Sequence, residues 1–77
     1  MDIRDKLIKI IAEELGVEEC RISDEADFVD DLDAEPYQVT GILSTVVTNY
    51  NITIPEEEHY IVTNLRTLFE CVNELIE

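Results

Sequence analysis

The sequence predicts an all-α domain of four helices, the third short, with a long connection between the first two. Three observations carry that prediction. Apolar residues recur at three- and four-residue steps in segments 2–15, 36–50 and 64–76, the period of helices with one buried face. Residues that start and stop helices stand at the ends of those segments. The chain holds only 2 Gly and 2 Pro in 77 residues, too few for a fold built mainly from turns. At this length a single modest core is expected, burying about 60% of the unfolded chain's surface, and residues 1–77 read as one domain.

The first helix is expected over 2–15. Ile3, Leu7, Ile10, Ile11 and Leu15 share one face, Asp2 can cap the start, and Gly16 can stop the end. The other face carries Arg4, Lys6, Lys9, Glu13 and Glu14, with Asp2–Lys6 and Asp5–Lys9 at the spacing of helical ion pairs. Residues 17–35 show no sustained period and hold nine acids against one base, Arg21. Val17, Ile22, Phe28, Val29 and Leu32 would pin this connection to the core. A connection of such length in a small domain points to a functional segment.

Residues 36–54 contain no charged side chain. Their many β-branched residues favour a strand, yet Val39, Ile42, Leu43, Val46 and Tyr50 repeat at helical spacing. Glu35 as N-cap, Pro36 at the first helical position and Gln38 at the third make a consistent start, so a second helix is predicted over 36–50. Gly41 inside it costs up to about 1 kcal/mol relative to Ala. Pro55 followed by Glu56, Glu57 and Glu58 suits the first turn of a short third helix, because negative charge favours the positive end of the helix dipole. Thr63 is expected to cap a last helix, 64–76, whose apolar face is Leu65, Leu68, Phe69, Val72, Leu75 and Ile76.

Nineteen acids against five bases give a formal net charge of -14. That charge opposes binding to nucleic acid and to anionic membranes and favours protein partners with basic patches. The nine acids of 17–35 would also permit an acidic mimic of nucleic acid. Met1 is followed by Asp2, Arg4, Asp5 and Lys6, unlike a secretory leader. No apolar run approaches the ~20 residues of a membrane span. A cytoplasmic setting with Cys20 and Cys71 reduced is therefore expected, and neither cysteine has metal-ligand spacing. Asp31-x-Asp33-x-Glu35 has the outline of a calcium loop, but its sixth place is Pro36 and its twelfth Ile42, which excludes one. His59, the sole histidine, stands among glutamates and reads as a solvated surface residue. No nucleophile–base constellation or Gly-rich phosphate loop is present, so no enzymatic activity is expected.

The run Phe28-Val29-Asp30-Asp31-Leu32-Asp33-Ala34-Glu35-Pro36 resembles the signature of acyl carrier proteins, in which an aromatic, an acidic pair and Leu lead into Gly-Ala-Asp-Ser-Leu-Asp. Ile10-Ile11-x-Glu13-x-Leu15-Gly16-Val17 resembles that family's first helix and its exit. Ile52-x-Ile54-Pro55-Glu56-Glu57 resembles the turn before its third helix. The three blocks stand in order at matching distances, so the likeness covers essentially the whole chain and implies an acyl-carrier-like four-helix bundle. In the family the Ser is esterified to 4′-phosphopantetheine, the arm that bears the acyl group. Here that position is Pro36, which has no hydroxyl. The family's preceding Gly is Asp33, its following Leu is Tyr37 and its next Asp is Gln38. An acid often found further along the helix is Gly41, and a Glu-Glu pair near its end is Val47-Thr48.

The resemblance and its departures imply a domain that carries no phosphopantetheine at the usual site and has no other cofactor or metal. It would act as a monomeric docking or regulatory module related to fatty-acid or polyketide biosynthesis, with lipid- or polyketide-assembly enzymes as partners. Candidate partner contacts are Glu35, Tyr37, Gln38, Gly41, Val47 and Thr48. The alternative is a functional carrier that uses another attachment residue: the hydroxyls of Tyr37, Thr40 and Ser44 and the thiols of Cys20 and Cys71 are the available nucleophiles.

Overall fold

The computed structural model describes residues 2–76. Helix α1 spans Ile3–Leu15, with Asp2 accepting the Asp5 N–H at 2.9 Å and Gly16 closing the far end at φ 67, its N–H on the Ala12 carbonyl. That left-handed turn is the conformation glycine adopts without strain. The expected i,i+4 partners are drawn elsewhere. Lys6 lies 5.2 Å above the Tyr50 ring, and Lys9 pairs with Glu19 at 3.9 Å.

Helix α2 spans Pro36–Tyr50, the range predicted against its local strand propensity. Burial decides the outcome: Ile42, Leu43 and Val46 are at most 3% exposed on one face. Polar β-branched and amide side chains satisfy themselves by bonding back along the helix. Thr40 donates to the Pro36 carbonyl at 3.3 Å, Thr45 to that of Gly41 at 2.9 Å and Asn49 to that of Thr45 at 2.8 Å. Helix α3 spans Leu65–Leu75 and buries Leu65, Leu68 and Val72 completely. Its cap is Asn64 rather than Thr63. Asn64 Oδ1 accepts the Thr67 N–H at 2.9 Å, and Thr67 Oγ1 accepts the N–H groups of Asn64 and Thr63 at 3.1 and 3.0 Å. Leu75 and Ile76, expected on the apolar face, are exposed at the end of the helix.

The short third helix expected after Pro55 is a single 3₁₀ turn, Glu56–Glu58, so the described residues form three α-helices, not four. The turn is held by the Glu58 and His59 N–H groups on the carbonyls of Pro55 and Glu56. It cannot lengthen into a helix because the chain is soon drawn out to bury Val62 and to place the Thr63 carbonyl on the Phe28 N–H at 2.9 Å. A second 3₁₀ turn, Glu19–Arg21, opens the long connection. No strand occurs among the described residues.

Helix α1 packs against both α2 and α3. The connection 17–35 fills the remaining side: Ile22, Phe28, Leu32 and Ala34 all join the core. Arg4 of α1 pairs with Asp24, Arg66 of α3 pairs with Glu25 at 3.4 Å, and the Arg66 N–H reaches the Asp24 carbonyl at 3.1 Å. These exposed pairs add little energy individually, but they tie the connection to two helices at once.

Gly41 lies on the flank of α2 that meets α1. A Cβ there would come within 2.7 Å of the Glu14 carboxylate, the free end of a flexible side chain. Gly41→Ala is therefore expected to raise stability by about 0.5–1 kcal/mol, the helix-propensity gain, once Glu14 swings aside. Denaturant unfolding measures it, and a loss of stability would show that Glu14 is held in place.

Candidate functional site: the start of helix α2 and the cleft beside it

The approach to α2 is built by acids turned on the backbone. Asp27 Oδ1 accepts the N–H groups of Val29 and Asp30 at 2.9 and 3.0 Å, while Asp31 Oδ2 accepts the Asp27 N–H at 2.7 Å. This reciprocal cap folds residues 27–32 into a tight turn. Phe28 is 1% exposed, and its carbonyl accepts the Ala34 N–H at 2.8 Å. Between the turn and α2, Asp33 sits at φ 57 in the left-handed region, where aspartate is tolerated and glycine is unstrained. The Gly that the resemblance sets at this place in the sequence would suit the same conformation.

Pro36 occupies the first position of α2. Glu35 is the cap residue, and Gln38 Oε1 reaches back to accept the Glu35 N–H at 2.8 Å. Gln38 also extends Nε2 to the Glu14 carbonyl at 3.4 Å, so it faces α1. The six candidate contacts therefore divide. Glu35, Tyr37 and Thr48 are exposed, Tyr37 at 71%. Gln38 and Gly41 turn toward α1 and Glu14. Val47 is half-buried on the opposite flank.

The nucleophiles near the helix start are few. Pro36 has none, Thr40 Oγ1 is engaged with the Pro36 carbonyl, and Ser44 lies two turns along the helix. Tyr37 presents a phenol to solvent. Cys20 and Cys71 are free thiols on other parts of the surface. Burial, then the neighbouring Glu58 and Glu74 carboxylates, push the Cys71 thiol above its ordinary pKa. No cluster of residues able to hold a metal ion occurs among the described residues.

Sequence reasoning missed a cleft of about 320 Å³ beside Pro36. Phe28, Val39, Leu43 and Val62 give it an apolar floor, while Val29 and Tyr60 stand on its rim at 50% and 75% exposure. A second cleft, also about 320 Å³, continues along α2 past Val47 and Ile54 and shares Thr40, Leu43 and His59 with the first. His59 is half-buried at their junction instead of fully solvated, and its Nε2 faces the Ile54 carbonyl at 3.2 Å. A carbonyl can only accept, so that nitrogen carries the proton. The one sequence signal was the pair Phe28-Val29, two adjacent apolar residues of which a tight turn can bury only one.

A family model described as a phosphopantetheine attachment site matches residues 5–72. The matched span holds all three helices except the first two residues of α1 and the last three of α3. The start of α2 lies well inside it.

Two outcomes test this geometry. Asp33→Gly should stabilise the protein by about 1 kcal/mol by relieving the left-handed strain, read as a shift of the denaturant midpoint. A loss would mean that the Asp33 side chain contributes more than its backbone costs. In iodoacetamide labelling at mildly alkaline pH, exposed Cys20 should react well before Cys71, whose raised pKa keeps it a thiol until higher pH. The lag should shrink as pH rises. Equal rates throughout would contradict the burial of Cys71.

Proposed function

The chain belongs to the phosphopantetheine attachment site family, and from that membership we propose that it is an acyl-carrier-like domain that bears no phosphopantetheine at the start of α2 and acts by docking to proteins. Members of the family carry groups and do not transform them. One observation carries the reading: the first residue of α2 is Pro36. The residues around it do not fit a phosphopantetheine ester. Proline offers no hydroxyl, the Thr40 hydroxyl is turned back onto the helix, and Ser44 is two turns away. A transferase that delivers its group to one point on a helix start loses rate steeply for a displacement of about 1 Å.

The charge pattern supports docking over carrying. Helix α2 has no charged residue from Pro36 to Tyr50, although the chain as a whole carries -14. Long-range attraction to a basic partner then arises from the acidic segments that flank α2. The exposed contacts on α2 itself are Tyr37 and Thr48, with Glu35 before its first turn and half-buried Val47 beside it. Gln38 and Gly41 support the helix against α1. A role in fatty-acid or polyketide assembly is the setting that family membership favours.

The test is the intact mass of the protein after incubation with coenzyme A and a promiscuous phosphopantetheinyl transferase. No gain is expected for the wild type, and little for Pro36→Ser, because the helix lacks acids for the transferase to engage. Addition of one phosphopantetheine to the wild type would establish the alternative, a carrier with another attachment residue. Efficient modification of Pro36→Ser alone would show that only the nucleophile is missing and would remove the case for a rewritten docking face.

A further inference from the structure

All three ion pairs among the described residues hold one stretch of chain. Lys9 of α1 pairs with Glu19 at 3.9 Å, Arg4 of α1 with Asp24, and Arg66 of α3 with Glu25 at 3.4 Å. The stretch they hold, 18–26, has little else to keep it in place. Ile22 is its one buried side chain, with Ala26 half-buried at its end. Its backbone makes one hydrogen bond to a helix, the Asp24 carbonyl accepting the Arg66 N–H at 3.1 Å. The N–H groups of Arg21, Ile22 and Ala26 turn back on the stretch itself, to the carbonyls of Glu18, Glu19 and Ser23.

The two ends of this stretch are anchored without those pairs. Gly16 turns the chain at φ 67, and the Val17 N–H reaches the Ala12 carbonyl at 3.2 Å. At the far end the Asp27–Asp31 cap and the bond from the Phe28 N–H to the Thr63 carbonyl fix the chain. Residues 18–26 can therefore leave the surface as one unit without disturbing the start of α2. Every charged group in the three pairs is open to solvent. A polar cleft of about 460 Å³, lined by Arg4, Ser23, Asp24, Glu25 and Arg66, admits water and salt ions between the two arginines. Exposed pairs are weak and are screened by salt, so this stretch belongs to the part of the fold that opens at low cost.

We propose that residues 18–26 form a strap latched to α1 and α3 by these three ion pairs, and that the strap releases as ionic strength rises while the helices stay folded. Release withdraws Ile22 from the core. It also unmasks Arg4, Lys9 and Arg66, which are neutralised in the closed form, as a cationic face on a chain of net charge -14. The range of salt matters. Repulsion within so acidic a chain acts over longer distances and is largely screened at 0.1 M, where the Debye length is about 10 Å. Pairs at 3.4 and 3.9 Å go on weakening up to 1 M, where that length is about 3 Å. Between these two conditions the salt dependence reports the latch. The inference goes beyond the docking reading and does not depend on it.

Arg21, the one base inside the strap, supplies the probe, because trypsin cuts after it only when the residues on either side are drawn out. Cleavage of the full chain is followed by mass in 0.1 M and in 1 M NaCl. The double variant Arg4→Gln, Arg66→Gln removes two pairs and leaves the sequence of the strap untouched. In 0.1 M NaCl its cut after Arg21 should be about fivefold faster than in the wild type, the size expected from two exposed pairs. In 1 M NaCl the two rates should converge, and taking their ratio cancels the effect of salt on trypsin itself. The first cut should fall after Arg21 alone in both proteins. A control, Thr48→Glu, Asn73→Asp, changes two exposed residues outside the strap and reaches the same net charge as the arginine variant. It should be cut at the wild-type rate. Equal rates in 0.1 M NaCl, a ratio that persists in 1 M NaCl, or a control cut as fast as the arginine variant would each overturn the inference. Simultaneous cuts after Lys6 and Lys9 would also overturn it, since the whole domain would then be unfolding.

Discussion

A helix leaves its first N–H groups without acceptors in the helix itself, and α2 meets that constraint with Pro36 at the first position and Gln38 reaching back to the Glu35 N–H at 2.8 Å. Proline loses nothing there, since the N–H it lacks would have had no intrahelical partner, and its fixed φ already suits the helix. On the proposed reading, the same position is where the family needs a side-chain oxygen. What the fold requires of residue 36 and what the chemistry requires of it are therefore separable. A sequence can keep the first and drop the second without disturbing α2, its burial against α1, or the core beneath.

The rest of the site follows from how the chain reaches that position. The Asp27–Asp31 cap folds the turn, Phe28 enters the core, and its N–H and carbonyl are bonded to Thr63 and Ala34. One contact thus fixes the approach to α2 and draws out the segment before α3. The 3₁₀ turn at Glu56–Glu58 and the open cleft between α2 and Tyr60 are consequences of that drawn-out segment. The acids spared from backbone capping remain on the border, so the charge surrounds α2 without lying on it.

Most of the helical frame was legible in the sequence. The period of Val39, Ile42, Leu43, Val46 and Tyr50 outweighed β-branched propensity because burial is worth more than local preference. Glu35, Pro36 and Gln38 marked the start of α2 because capping is a local rule. Where local rules competed, the sequence misled by small steps. Thr63 and Asn64 can both cap, and Asn64 won because Thr67 answers it three residues on. Pro55 and its glutamates look like a helix start, but a tertiary hydrogen bond to Phe28 claims the chain before a helix can grow. The site was less legible. The cleft beside Pro36 assembles Phe28, Val29, Val39, Leu43, Tyr60 and Val62, which no local pattern links. The resemblance also placed Gly41 among the candidate partner contacts, whereas Glu14 covers it. Pro36 could be read as a helix start because its fixed φ and missing N–H suit the first position.

The account depends on residue 36 having kept a structural duty after its chemical one was gone. The most direct measurement is the intact mass of the protein isolated from the cells that make it, where the natural transferase and every natural partner are present. The account predicts the mass of the bare polypeptide. A mass higher by one phosphopantetheine, or by an acyl-phosphopantetheine, would contradict it.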